Sequence, residues 1–151
     1  NIPGVLVSIL TSSPTYPDNP DQRDLINSFT TVPNLDHYGG RIHGWLHVPL
    51  AGDYTFWVST DDYGELWLSS DDNPANAELI CQVPGWTPTE TWDWYAAQQS
   101  APITLAQGKY YIMGLWKEHE GGDHIAAAWQ GPAIPTMTVI AGSYLSPYIQ
   151  Y

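Results

Sequence analysis

The sequence predicts an all-β domain, an antiparallel sandwich or barrel with long loops and at most one short helix. Three observations carry this. Thirteen Gly and thirteen Pro are scattered through 151 residues and cut them into pieces of strand length. Several pieces alternate or concentrate β-branched and aromatic side chains, which suit a pleated, half-buried surface. No stretch sustains the 3.6-residue periodicity of an amphipathic helix.

In chain order, residues 5–10 and 41–48 read as strands. After the turn pair Gly52-Asp53, Tyr54, Phe56 and Val58 alternate with Thr55, Trp57 and Ser59, the period of two of a strand with one buried face. Asp61-Asp62-Tyr63-Gly64 has turn composition, and Leu66-Trp67-Leu68 follows as a short strand. Together they predict a hairpin with an acidic tip. Residues 69–100 are expected to form a long irregular connection. Within it, Thr87-Pro88-Thr89-Glu90 has capping-box spacing with Pro at the first helical position, the place for the one short helix. Residues 103–105 supply another strand. The aromatic run 109–116, the glycine-containing loop 118–123 and the segment 124–129 predict a second hairpin, closed by Gly131-Pro132. The Ala run at 126–128 favours helix in isolation, but it is too short before that stop to form one. Residues 136–140 are the last expected strand.

Composition limits the partners. Sixteen Asp or Glu face only 4 Lys or Arg, a formal net charge of -12. Nucleic acid binding draws on clustered cations and anionic membranes repel such a surface, so both are disfavoured. No apolar run approaches the roughly 18 residues of a membrane span. Cys81 is the single cysteine, which excludes an internal disulfide or a thiolate metal cluster. The length fits one module over residues 1–151, able to bury roughly 70% of its unfolded surface without a staple. With no initiator Met, it is expected to be a monomeric module within a longer, multidomain chain. Eight Trp and 10 Tyr against 2 Phe favour rings with a polar handle, the kind suited to wet recognition surfaces.

Two acidic loops could carry chemistry. Adjacent carboxylates at Asp61-Asp62, held at a strand end, can offer oxygens to one hard cation, and Ca²⁺ takes about six to eight such ligands. The plain alternative is a solvated acidic turn. If the loop from Glu118 to Asp123 lies alongside, Asp123 and the carbonyls around Gly121 and Gly122 could complete the coordination, the glycines permitting carbonyls to turn inward. The plain alternative there is a flexible hairpin loop. Periodicity leaves open whether the loops meet.

The combination Gly52-Asp53-Tyr54-Thr55-Phe56-Trp57, Ser59-Thr60-Asp61-Asp62 and Leu66-Trp67-Leu68 resembles the central signature of the protective-antigen fourteen-kilodalton domain family. Leu105-Ala106-Gln107-Gly108-Lys109-Tyr110-Tyr111, Gly121-Gly122-Asp123-His124 and Trp129-Gln130-Gly131-Pro132 are similar to its second half, in the same order. The resemblance implies a β-sandwich module of secreted glycosidases, adhesins and toxins. In lectin members an Asp-Asp pair joined by a cis peptide binds Ca²⁺, which coordinates sugar hydroxyls. Carried over, that pair is Asp61-Asp62 and the second calcium loop falls within residues 119–123. Lectin members usually supply an Asn from that loop; this sequence has none there, so the role passes to Asp123 or Glu120.

The aromatic stretch 86–95 is a third candidate, because sugar rings pack their C–H faces on Trp and Tyr. Trp86 and Trp92 are expected to anchor the loop, Trp94 to be exposed, and Trp57, Trp67, Trp116 and Trp129 to lie in the core. Enzymatic readings are weaker. His119-Glu120 and His124 lack the spacing of a zinc-protease helix, and nothing places two carboxylates across a cleft as in a glycosidase. His37, His43 and His47 form no metal spacing. The expectation is therefore a non-catalytic, extracellular or cell-surface module that binds glycan or polysaccharide with Ca²⁺. Asp61, Asp62, Asp123, Gly121 and Gly122 would hold the ion, and Tyr63, Trp94, His119 and Glu120 would border the sugar. A structural or protein-interaction module of the same fold is the alternative, and a glycoside hydrolase ranks below both.

Overall fold

A computed structural model describes residues 1–149. Helix α1 (Val7–Thr11) precedes ten strands: β1 (Thr30–Thr31), β2 (Tyr38–Val48), β3 (Gly52–Asp61), β4 (Gly64–Ser69), β5 (Ala77–Val83), β6 (Ile103–Leu105), β7 (Gly108–Glu118), β8 (His124–Gly131), β9 (Ile134–Val139) and β10 (Leu145–Pro147). They form two antiparallel sheets, in the orders β1-β8-β3-β6, with β9 also paired to β8, and β10-β2-β7-β4-β5. The fold is an all-β sandwich.

Alternation sets the core. Tyr54, Phe56 and Val58 of β3, Tyr110, Ile112 and Trp116 of β7, and Ile125, Ala127 and Trp129 of β8 belong to one buried cluster between the sheets. The Trp129 indole is fully buried and stacks on Tyr54 with ring centroids 5.3 Å apart. A ring of this kind removes about 150–250 Å² from water, so this pair contributes a large buried area to the core. The opposite residues point outward. Trp57 and Trp67, expected in the core, are half-buried on the outer faces of the two sheets.

Pairing departs from the sequence reading in both hairpins. β3 pairs with β8 and β6, whereas β4 pairs with β7 and β5, so the acidic turn between them is a crossover from one sheet to the other. β7 and β8 likewise lie in different sheets. A period-two pattern reports which face of a strand is buried and carries no information about which strand lies beside it. The segment 5–10 was expected as a strand, but residues 7–11 are helical. Val7 and Leu10, three apart, cover Leu115 and pack with Trp67 and Met113 on the outer face of the second sheet; so short an apolar run satisfies either period. Residues 87–90 contain no helix. The short 3-10 turns lie at Pro74–Asn76, Ala96–Gln98 and Gly142–Tyr144. The supposedly irregular 69–100 segment contains β5, whose Cys81 and Val83 alternate into the core.

Candidate metal centre

The acidic residues gather where the two crossovers share one rim of the sandwich. β3 ends at Asp61, opposite His124 of β8, and β7 ends at Glu118, opposite Tyr38 of β2. Backbone bonds stitch the rim: Asp62 N–H donates to the Lys117 carbonyl at 3.0 Å, and Lys117 N–H donates to the Tyr63 carbonyl at 2.9 Å. The His119 N–H donates to Asp62 Oδ2 at 3.0 Å, and Thr60 Oγ1 donates to the Asp62 carbonyl at 2.7 Å. The Asp61-Asp62 peptide is cis.

Three carboxylates converge there. Asp61, Asp62 and Glu118 each offer an oxygen, all within 4.8 Å of one another. Two ligands about 2.4 Å from a shared calcium ion can be at most about 4.8 Å apart, so the spacing matches one ion. Glu118 is fully buried, and neither of its carboxylate oxygens has a hydrogen-bond partner among the described residues. Burial, followed by the charges of Asp62 and Asp61, pushes its pKa up to about 8. Asp61 is pushed up to about 6, first by burial and then by Asp62. Neighbouring Lys117 interacts with Glu118 and Asp62 through its charge but makes no hydrogen bond to their carboxylates. Its ammonium is fully buried and donates to the carbonyls of Ile2, Gly4 and Glu118. An oxygen-only, partly desolvated set of three carboxylates beside a single ammonium suits a hard divalent cation.

Glu118 is not among the ion-holding residues expected from the sequence, although the signal that places it in the cluster is there. Tyr110, Ile112 and Trp116 face the core, and two more residues of the same alternation place a carboxyl on the core side of β7.

The other expected residues divide. Gly122 adjoins the cluster, since a β-carbon there would lie 3.4 Å from Asp61 Oδ2. Gly121 has φ +111° and donates its N–H to Asp36 Oδ1 at 3.1 Å. Asp123 is not brought into the cluster. Its carboxylate accepts from Asn34 N–H at 3.0 Å, Leu35 N–H at 3.2 Å and the Tyr38 hydroxyl at 2.6 Å. It therefore pins the 32–38 connection, a third loop at this rim whose part the sequence did not disclose. Tyr63 packs into the apolar cluster beneath α1 rather than standing free beside the acids. The His119 Nδ1 accepts from Gly4 N–H at 3.2 Å, and Glu120 is exposed with an oxygen 3.6 Å from His119 Nε2.

The aromatic loop borders the same rim. Thr87 N–H donates to the Thr60 carbonyl at 2.8 Å, which seats residue 86 next to the end of β3. Trp94 is half-exposed, as expected. Trp86, expected to be an anchor, is 49% exposed and meets Trp94 with centroids 5.0 Å apart.

No family model matches the sequence. Over 121 residues it is 34% identical to N-acetyl-beta-glucosaminyl-glycoprotein 4-beta-N-acetylgalactosaminyltransferase 1 of Mus musculus, covering 76% of this chain and 12% of that protein. Among solved structures it is similar to an anti-sigma factor domain-containing protein from Clostridium clariflavum, with TM-score 0.66 and 24% identity over 88% of this chain and 44% of the other. It is also similar to the PA14 sugar-binding domain of an RTX adhesin, with TM-score 0.52 and 16% identity over 72% of this chain and 53% of the other. The chain thus has the PA14 fold, the fold its sequence resembles.

Proposed function

We propose, from the PA14 fold and the carboxylates at its rim, that this chain is a calcium-dependent carbohydrate-binding module acting outside the cell, and that it binds rather than catalyses. The observation that carries the reading is Glu118, a fully buried carboxylate with two unpartnered oxygens beside Asp61 and Asp62. Leaving such a group unpaired costs several kcal/mol in order of magnitude, and a cation removes that penalty. Asp61, Asp62 and Glu118 would hold the ion. When bound, Ca²⁺ offers open coordination positions to sugar hydroxyls. The protein's own contribution is to fix the carboxylates on two strand ends, to hold Asp62 through the His119 N–H, and to present the Trp86-Trp94 pair as an apolar flank for a pyranose C–H face. The sugar-binding description of the RTX adhesin domain supports this reading.

Titration calorimetry tests the ion. Ca²⁺ is expected to bind with a dissociation constant on the order of 10⁻⁴ M or tighter, the range of extracellular calcium modules and above. Glu118→Gln and Asp62→Ala should each weaken it at least about tenfold, the loss of one charged ligand. Glycan-array binding with and without chelator then tests the sugar. A second reading is favoured by the His119–Asp62 bond, which already links the two crossovers: the ion could act only as a staple of the rim. Calcium binding with no glycan bound at saturating Ca²⁺ would select it.

A further inference from the structure

A groove of about 740 Å³ lies on the outer face of the sheet containing β3, sharing no residue with the carboxylate cluster. Its floor is Trp57 of β3 with Gln130 of β8, and its wall is Trp92, Tyr95 and Gln99. The volume is that of a site for a small ligand or a short oligosaccharide. Among the described residues the three rings do not stack on one another, so they present separate faces instead of closing a cage around one point. Glu90 and Asp93 also line it, and no Lys or Arg does.

The wall is held in place before any ligand arrives. Gln98, fully buried, donates from Nε2 to the Val58 carbonyl at 2.9 Å and the Thr91 carbonyl at 2.7 Å, and its Oε1 accepts from Trp94 and Tyr95 N–H at 2.9 and 3.0 Å. Thr91 N–H donates to Ser59 Oγ at 3.3 Å, and Trp57 and Gln99 form an antiparallel bridge. By contrast, the side chains of Glu90, Asp93 and Gln99 and the indole N–H groups of Trp57 and Trp92 are bonded to no protein partner among the described residues. A fixed surface of separated ring faces with unspent donors and acceptors beside them matches a ligand that repeats apolar faces edged with hydroxyls. The two carboxylates, on a chain of net charge -12, repel anionic polymers.

The geometry points to a second, calcium-independent site in this groove, which takes a segment of an uncharged polysaccharide across Trp57, Trp92 and Tyr95. It stands apart from the calcium reading. The test is affinity electrophoresis of the 151-residue chain in excess EDTA, through gels containing glucomannan, xyloglucan, hydroxyethylcellulose or amylose, with alginate as the anionic comparison. At least one neutral polymer should retard the chain and alginate should not. Trp57→Ala and Trp92→Ala should each weaken retardation at least about tenfold, as loss of a stacking face implies, while Asp62→Ala leaves it unchanged. Ala96→Arg, at an exposed lining position, fills the groove without touching the core and should abolish retardation should either Trp variant misfold. Absence of retardation by all four neutral polymers overturns the proposal. So do retention by alginate, loss in Asp62→Ala, and undiminished binding in Ala96→Arg. Absence of calcium binding by the wild-type chain would overturn only the first site's reading.

Discussion

Glu118 sits at the end of a strand whose alternation would ordinarily put an apolar residue there. Its folded pKa of about 8 lies above the ordinary 4.5, so the folded state retains a proton that the unfolded state has lost. Without a cation its contribution is therefore favourable below about pH 4.5 and is lost as pH rises towards 8. Asp61 adds the same trend up to about pH 6. In chelator, thermal unfolding should shift to lower temperature between pH 5 and 8, by about 2–4 °C for each kcal/mol in a domain of this size. Glu118→Gln should flatten that decline and raise the midpoint at pH 8 in chelator, yet lose the stabilisation that Ca²⁺ confers on the wild type. A variant whose midpoint at pH 8 falls in chelator would show that Glu118 is not under electrostatic strain.

The crossovers and the 84–100 connection decide what stands beside what. Gln98 ties the aromatic loop to β3 through one hydrogen bond, to the Val58 carbonyl, and braces the loop internally through three more, with Thr91, Trp94 and Tyr95. Gln98→Ala should cost about 2–3 kcal/mol in urea unfolding, because buried backbone groups lose their partners, and should loosen both the Trp86-Trp94 pair and the groove. Asp123→Ala should cost a similar amount by freeing the 32–38 loop, while leaving calcium affinity within about threefold if the ion rests on Asp61, Asp62 and Glu118. Much of this level was legible beforehand. The strands at 54–59, 103–105 and 124–129 follow from alternation or β-favouring composition, and the two acidic loops follow from composition. The crossovers were not legible, since a turn of Asp-Asp-Tyr-Gly serves a hairpin and a step between sheets equally well. Nor was β5, whose exposed Glu78, Leu79 and Gln82 blur the pattern that Cys81 and Val83 carry.

At the scale of the molecule, acid should act through two imidazoles, His43 half-buried and His124 buried. Burial lowers His43 to about 4, with Arg41 and Arg23 adding to the shift, and burial lowers His124 to about 4 against the opposing charge of Asp123. His43 meets the Tyr111 hydroxyl at 3.0 Å and His124 Nε2 meets Ser59 Oγ at 3.1 Å. Both folded values lie below the ordinary 6.5, so their contribution is present above pH 6.5 and is lost as pH falls towards 4. With Ca²⁺ saturating, so that the opposite trend of Glu118 and Asp61 in chelator is removed, the unfolding temperature should drop across that window, and His43→Gln should lessen the drop, as a calorimetric pH series would show. An equal drop in that variant would assign the acid transition elsewhere.

The surplus of acid in the sequence also resolves at this scale. Composition alone established that the domain is acidic, rich in Trp and Tyr, built of strands and short of cations, because those properties follow from counts and from a period of two. Placement required the fold. Asp61 and Glu118 are 57 positions apart in sequence, and only the ending of β3 and β7 at one rim sets them within 4.8 Å. The same packing spends Asp123 on the 32–38 loop and Tyr63 under α1, while it leaves Trp57 and Trp92 facing a groove. Side-chain chemistry is a local property, whereas proximity depends on which strands are neighbours, and that is set by the burial of two whole sheets against each other.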